Sequence, residues 1–135
     1  MPEQTFGEFV TQKRKQKELS LREFARRLGI SPVYTCNIEK NRRAAPTDEF
    51  LERIAGILLL NDEDRLLMLD LAARSKGFVT VPVDLPEYIM QRDVVRAALR
   101  TAKDADTTDK EWEEFIERIT ANAKQRGDIA VPPKD

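Results

Sequence analysis

A pattern of side chains with helical spacing begins near the start of the chain. An α-helix collects positions i, i+3, i+4 and i+7 on one face. The side chains at this spacing are Phe6, Phe9, Val10 and Lys13. The pattern predicts a first amphipathic helix over about residues 4–17.

A local start signal precedes the second helix. Ser20 and Glu23 match the S-x-x-E pattern of a capping box, in which each side chain bonds the backbone N–H of the other residue. Gly29 follows the apolar positions, and glycine tolerates the left-handed conformation that ends many helices. The second helix is therefore predicted over residues 21–28.

The third helix is predicted over residues 31–40. Ser31 is a preferred N-cap residue, and Pro32 suits the first helical position because its missing N–H is not needed there. Thr35 and Ile38 are expected to point inward. The expected outward positions are Pro32, Val33, Cys36 and Asn37. Two short helices joined by a few residues around a glycine form a helix-turn-helix arrangement.

Two more helices complete the predicted N-terminal unit. Thr47 precedes a fourth helix, whose acidic first-turn residues Asp48 and Glu49 suit the positive end of the helix dipole. Asn61 is expected to cap a fifth helix. The core-facing residues of the fifth helix are expected to be Leu66, Leu67 and Leu71. These elements predict a compact five-helix unit that ends near Ser75.

The C-terminal part of the chain has a different pattern. Valines alternate within residues 77–87, but Pro82 interrupts them, which predicts an extended linker or one short edge strand. A helix is expected over about residues 86–103. Thr108 and Glu111 form a second capping box, which predicts the start of a last amphipathic helix.

Together these elements predict an all-α protein. The 135 residues suffice for one small domain with an appendage. We predict a five-helix domain over residues 1–75 and a linker with a helical extension over residues 76–135.

Catalytic chemistry has few candidate residues in this sequence. Histidine is absent and Cys36 is the single cysteine, so the chain lacks the usual general base and most zinc ligand sets. It contains no glycine-rich phosphate loop and no G-x-S-x-G turn. We therefore predict no enzyme activity, no catalytic residues, no cofactor and no metal site.

The sequence also bears on localisation. No apolar run approaches the ~20 residues of a membrane-spanning helix. The N-terminus, MPEQTFGEF, lacks the basic and apolar regions of a signal peptide. A single cysteine excludes an internal disulfide and suits a reducing compartment. We expect a cytoplasmic protein with no membrane partner.

A net charge of −1 conceals a basic segment. Residues 11–43 hold ten Lys or Arg against three Glu, a net charge of +7. A segment of this kind attracts polyanions. Chance clustering on a charged surface is the alternative explanation.

The stretch SLREFARRLGISPVYTCNIEKNRR, followed by FLERIAGIL, resembles the lambda-repressor-like, Cro-type helix-turn-helix family (the XRE family) of bacterial and phage regulators. The resemblance covers about residues 5–75. The matching positions include Phe24, Ala25, Leu28, Gly29, Ile30, Ser31, Ile38, Glu39, Leu51, Ile54 and Ala55. The resemblance implies that the third helix lies in the major groove of double-stranded DNA.

Three positions depart from the family pattern. Leu21 stands where a glutamine near the DNA backbone is common, which removes the basis for that contact. Thr35 replaces an apolar core residue, and its hydroxyl is expected to bond a carbonyl one turn back. Asn41 replaces a glycine, and asparagine is the next most tolerant of the left-handed conformation.

Short side chains on the third helix suit base readout, whereas the cations around it suit phosphates. Val33 can contact a thymine methyl, and Asn37 can pair with adenine. The predicted base-contacting residues are Pro32, Val33, Tyr34 and Asn37. The predicted phosphate-contacting residues are Lys13, Arg22, Ser31, Lys40, Arg42 and Arg43. The resemblance also implies a partly buried, structural ion pair between Arg14 and Glu39.

Alternative interpretations of these residues stay open. Val33 and Asn37 could be ordinary exposed helix residues, and Tyr34 could lie at the edge of the core. Cys36 is interpreted as a small residue on the helix flank, with a redox-sensing thiol as the alternative.

Apolar residues on the C-terminal helices need a partner, because exposed they would form a large patch that monomers usually avoid. These residues are Met90, Val94, Val95, Leu99, Trp112, Phe115, Ile116 and Ile119. We predict that they form a twofold dimer interface; folding back on the fifth helix is the alternative. The resemblance implies dimers on half-sites about one helical turn apart.

The leading hypothesis is a homodimeric, sequence-specific transcriptional regulator, a repressor that binds a palindromic operator. The competing hypothesis is an antitoxin-like module whose C-terminal helices bind a protein partner. Operator binding by the purified protein alone separates the two.

Overall fold

The computed structural model describes residues 4–127, and the described residues form helices and no strand. The helices are α1 (Phe6–Gln16), α2 (Leu21–Leu28), α3 (Pro32–Glu39), α4 (Asp48–Ile57), α5 (Asp62–Arg74), α6 (Pro86–Gln91), α7 (Asp93–Asp104) and α8 (Asp109–Arg126). The all-α fold class is confirmed. The outermost residues of the two predicted segments, 1–3 and 128–135, lie outside the described residues.

The predicted local signals start and end the first helices. Ser20 Oγ accepts a hydrogen bond from the Glu23 backbone N–H at 3.0 Å, and Gly29 ends α2 with φ of 76°. The Glu23 half of the predicted capping box is wrong, because the carboxylate bonds Arg26 and Arg27 instead of the Ser20 N–H. Charge-assisted bonds to two guanidinium groups are stronger than a bond to a neutral N–H.

A single core closes among α1 to α5. Its largest fully buried side chains are Phe6, Phe9, Phe24, Leu28, Leu51, Ile54, Leu58, Met68 and Leu69. Burial of apolar side chains of this size stabilises the fold by ~1.5–3 kcal/mol each. This core fixes the positions of α2 and α3 against the rest of the domain.

The predicted core face of α5 is partly wrong. Leu71 is buried, but Leu66 and Leu67 are exposed, and Met68 and Leu69 take their place. On the inward face of α5, the first turn of the helix carries charged residues that have partners on other helices. One of them, Asp64, accepts a hydrogen bond from Lys13. Such pairs across the fold leave no trace in a local hydrophobic pattern.

The chain divides into two compact units, one up to Tyr88 and one from Ile89 onward. The predicted division after Ser75 lies earlier in the chain. Residues 76–85 form no strand, and Val81 and Val83 line a hollow with Leu51. This segment therefore belongs to the first unit.

The helix predicted over residues 86–103 is interrupted, so that α6 and α7 are separate helices. Arg92 has an extended backbone, with φ of −129° and ψ of 107°. One guanidinium nitrogen of Arg96, Nη1, donates to the carbonyl oxygens of Ile89 and Met90 at 2.9 and 2.7 Å. Arg96 thereby satisfies carbonyl groups at the end of α6 that an interrupted helix leaves without intrahelical partners.

The second unit carries an exposed apolar surface. Its last helix starts with the predicted capping box, because Thr108 Oγ1 accepts from the Glu111 N–H at 3.2 Å and the Glu111 carboxylate accepts from the Thr108 N–H at 3.2 Å. Val95 and Trp112 are half-buried. The other six residues of the predicted dimer face are exposed, namely Met90, Val94, Leu99, Phe115, Ile116 and Ile119. Within residues 4–127, no helix has both the length and the apolar character needed to cross a membrane.

Candidate nucleic-acid interface

The outward side of α3 is built by its first turn. Ser31 Oγ accepts a hydrogen bond from the Tyr34 N–H at 3.1 Å, and Pro32 occupies the first helical position as predicted. Pro32 is exposed, and Val33 is 71% exposed. The start of α3 thus presents small, uncharged side chains to solvent.

The inward side of α3 is fixed by burial. Thr35 and Ile38 are buried, as predicted. Thr35 Oγ1 donates to the Ser31 carbonyl at 2.9 Å, which confirms the expected bond one turn back. Cys36 and Asn37 are half-buried instead of fully outward, because they lie at the border between the packed and exposed faces.

Tyr34 contacts both the core and a cation. Its side chain is partly buried and packs against the core cluster. The Arg43 guanidinium carbon lies 5.7 Å from the centre of the Tyr34 ring, a distance typical of cation–π contact. The ring therefore supports the position of Arg43 beside α3.

Arg14 and Glu39 form a bidentate ion pair. Arg14 Nε lies 2.8 Å from Glu39 Oε2, and Arg14 Nη2 lies 3.0 Å from Oε1. Arg14 Nη1 also donates to the Leu19 carbonyl at 2.9 Å, and Thr11 Oγ1 donates to Glu39 Oε1 at 3.0 Å. The two charged side chains are only 12% and 7% exposed. This network joins α1 to the end of α3.

The predicted phosphate contacts fall into three groups. Four of them are exposed and have no ion pair within residues 4–127, namely Arg22, Lys40, Arg42 and Arg43. Ser31 is exposed, and its hydroxyl oxygen caps α3. Lys13 Nζ lies 2.9 Å from Asp64 Oδ2 on α5. A phosphate contact by Lys13 stays a prediction, and it would have to compete with Asp64.

The sequence reasoning missed the role of the Asn41 side chain. Asn41 has the expected left-handed backbone, with φ of 61°. Its Oδ1 accepts from the Gly7 N–H at 3.0 Å, and its Nδ2 donates to Thr5 Oγ1 at 2.9 Å. A Cβ atom at Gly7 would lie 2.5 Å from Asn41 Oδ1 and 2.5 Å from the Glu39 carbonyl oxygen. A glycine in the first turn of a helix was the only signal of this close approach.

Arg53 is a second residue that the sequence reasoning missed. Its Nη1 donates to the Leu28 carbonyl at 2.8 Å, and its guanidinium carbon lies 5.7 Å from the centre of the Phe50 ring. Leu28 is the last residue of α2. Arg53 on α4 therefore satisfies a carbonyl at the turn between α2 and α3, where a helix leaves its last C=O groups without intrahelical partners.

The cations of α2 are partly neutralised by Glu23. Hydrogen bonds from Arg26 and then from Arg27 lower the pKa of the Glu23 carboxyl to about 2. The hydrogen bond between Arg26 and Glu23 raises the pKa of Arg26. Arg22, on the same helix, has no such neighbour among the ion pairs of the described residues. Within that part of the chain, no group of three His, Cys, Asp or Glu could hold a metal ion.

Residues 10–60, which include all of α2, α3 and α4, match the family described as helix-turn-helix. The chain therefore carries a helix-turn-helix domain, in agreement with its resemblance to the XRE family. The chain is 36% identical over 64 residues to the HTH-type transcriptional regulator SinR of Bacillus licheniformis, and this match covers 43% of this chain and 58% of that protein.

The chain is also 36% identical over 52 residues to SinR of Bacillus subtilis (strain 168), and this match covers 38% of this chain and 47% of that protein. The match thus spans about half the length of these two relatives. A solved chain described as a SinR protein/SinI protein complex is 22% identical, with a TM-score of 0.45, and the match covers 89% of this chain and 99% of that chain.

Proposed function

We propose that this protein is a DNA-binding transcriptional regulator that reads its site with α3. The observation that carries this proposal is the contrast between the uncharged, exposed start of α3 and the exposed cations Lys40, Arg42 and Arg43 at its end. Uncharged side chains can approach base edges, whereas cations neutralise phosphates. The XRE-family domain and the two relatives named as transcriptional regulators support the same assignment.

Base readout is proposed for the outward residues of α3. Val33 offers an exposed aliphatic group to a thymine methyl. Asn37 offers an amide that matches adenine N6 and N7, and the residue is only half-buried. Pro32 and Tyr34 complete the proposed contact surface at the start of the helix.

Phosphate binding is proposed for the cations that surround α3. Arg22 follows the N-cap of α2, where first-turn N–H groups and the helix dipole favour an anion. Arg42 and Arg43 lie just beyond α3 and carry exposed guanidinium groups. Contacts on both sides of the reading helix would fix its register on the duplex.

Action as a homodimeric repressor on a palindromic operator is the finer part of the proposal. The exposed apolar face of the second unit supports it, because monomers rarely expose such a surface. A twofold dimer would present two copies of α3 to half-sites about one helical turn apart. In the competing hypothesis, the same face binds a different protein.

The test is selection of bound duplexes from a random library by the purified full-length protein at physiological salt. The proposal expects enrichment of one sequence family. Failure to enrich any sequence, together with binding no stronger than to random duplex, would favour the protein-interaction hypothesis.

A further inference from the structure

The segment between α3 and α4 carries two exposed cations and is anchored at both ends. We call residues 41–45 the basic arm, because Arg42 and Arg43 lie at its centre. Neither guanidinium has an ion pair within residues 4–127. The anchors of the arm lie on α1 and at the end of α5, far away along the chain.

The first anchor is the Asn41 side chain. It bonds the Gly7 N–H and the Thr5 hydroxyl, both at the start of α1. The approach is so close that only glycine fits at position 7. A glycine at position 41 would keep the left-handed backbone but would lose both bonds.

The second anchor holds Ala45, which is buried. The Ala45 N–H donates to Ser75 Oγ at 2.9 Å, and Lys76 Nζ donates to the Ala45 carbonyl at 2.6 Å. Ser75 Oγ in turn donates to the Ala72 carbonyl at 2.6 Å. Both polar groups of the Ala45 backbone are thus bonded to residues at the end of α5.

The middle of the arm is fixed to α3. The N–H groups of Arg42 and Arg43 donate to the Asn37 carbonyl at 2.9 and 3.3 Å. The Arg43 guanidinium lies against the Tyr34 ring. The backbone that carries both cations is therefore held to the helix that is proposed to read the bases.

We propose that Asn41 and Ser75 are positioning residues that hold the basic arm in place for two phosphate contacts. This inference rests on the proposed DNA binding. An arm that is already ordered loses less conformational entropy when it binds, so its contacts contribute more to affinity. Without an anchor, the arm keeps its bonds to α3, but the DNA must supply more of the order that Arg42 and Arg43 need for binding.

The experiment compares Asn41→Gly and Ser75→Ala with the full-length parent. Leu59→Gly is the matched control, because Leu59 is also left-handed, with φ of 53°, and its exposed side chain lies outside the arm. DNA binding is measured at several salt concentrations on a selected duplex and on a random duplex. Thermal unfolding of each variant is measured alongside.

We expect each anchor variant to bind both duplexes ~10-fold more weakly than the parent. This corresponds to ~1.4 kcal/mol of binding free energy. Leu59→Gly should bind like the parent. The slope of log K against log salt should flatten by about one unit or more, because phosphate contacts are lost. Adding Arg42→Ala/Arg43→Ala to Asn41→Gly should weaken binding less than it does in the parent. A merely structural role would leave the salt slope and the additivity unchanged.

Two outcomes overturn the inference. If both anchor variants bind with the affinity and salt slope of the parent, the anchors do not position the arm. If affinity falls but Arg42→Ala/Arg43→Ala weakens binding by the same factor in Asn41→Gly as in the parent, the loss of affinity does not come from the basic arm. If the parent itself binds no DNA, the proposed function fails first, and this is seen before any variant is compared.

Discussion

The Arg14 guanidinium donates two hydrogen bonds to the Glu39 carboxylate, at 2.8 and 3.0 Å, and so joins α1 to the last residue of α3. Glu39 also accepts from Thr11, and Arg14 also donates to the Leu19 carbonyl. Because both side chains are mostly buried, their charges are satisfied almost entirely by each other and by these neighbours. The orientation of α3 therefore depends on a charged contact inside the domain.

Removing one member of this pair should destabilise the domain strongly. Arg14→Met leaves the buried Glu39 carboxylate without its cation, and we expect a loss of ~3–5 kcal/mol in the free energy of unfolding. Urea denaturation followed by circular dichroism measures the loss. The double variant Arg14→Met/Glu39→Leu removes both charges and should lose less than the single one. A single variant as stable as the parent would contradict this view of the pair.

The Glu23 carboxyl should make stability depend on pH. Its pKa in the folded protein is about 2, below the ordinary value of 4.5, so its ionised form is favoured by folding. The contribution is fully present above pH 4.5 and is lost as pH falls toward 2. The difference in melting temperature between the parent and Glu23→Gln should therefore shrink over this interval. A difference that stays constant down to pH 2 would disprove the assignment.

Arg42 and Arg43 should contribute to DNA binding without regard to sequence. If each contacts one phosphate, Arg42→Ala/Arg43→Ala should reduce the slope of log K against log salt by about two units. Selected and random duplexes should be weakened alike. Lys103→Ala/Lys110→Ala removes two exposed cations outside the predicted interface and serves as the control. A slope equal to that of the parent would remove Arg42 and Arg43 from the phosphate contacts.

The exposed apolar face of the second unit should determine the oligomeric state. Ile116 is 60% exposed within one chain, so Ile116→Asp should disturb a monomer little but should break a dimer that buries this side chain. Ala121→Asp, at an exposed position on another side of α8, is the matched control. Light scattering should give a dimer for the parent and the control and a monomer for Ile116→Asp. A dimeric Ile116→Asp protein would place the interface elsewhere.

Sequence reasoning succeeded where the deciding interactions are local. The start of α3 at Ser31 and Pro32, the left-handed end of α2 at Gly29 and the capping box at Thr108 each depend on residues within one turn. Such signals are readable because the bonded groups lie three or four residues apart.

Sequence reasoning failed where partners lie far apart along the chain. The bond from Gly7 to Asn41 joins residues 34 positions apart, and nothing near Asn41 indicated it. Nothing near Lys13 indicated that the folded chain brings Asp64 to within 2.9 Å of it, and the phosphate contact of Lys13 stays a prediction. On α5, Leu66 and Leu67 are exposed, while Asp64 and Arg65 in the preceding turn have ion-pair partners on α1 and α4, which a local hydrophobic pattern cannot indicate.

Base preference measured for Asn37→Ala beside the parent tests the central claim most directly. Both full-length proteins are used to select duplexes from one random library at physiological salt. The parent should enrich an inverted repeat with half-sites about one helical turn apart. Asn37→Ala should bind that site ~1–3 kcal/mol more weakly and lose preference at one base pair in each half-site. If Asn37→Ala keeps the full preference of the parent, and Val33→Ala does so too, α3 does not read the DNA.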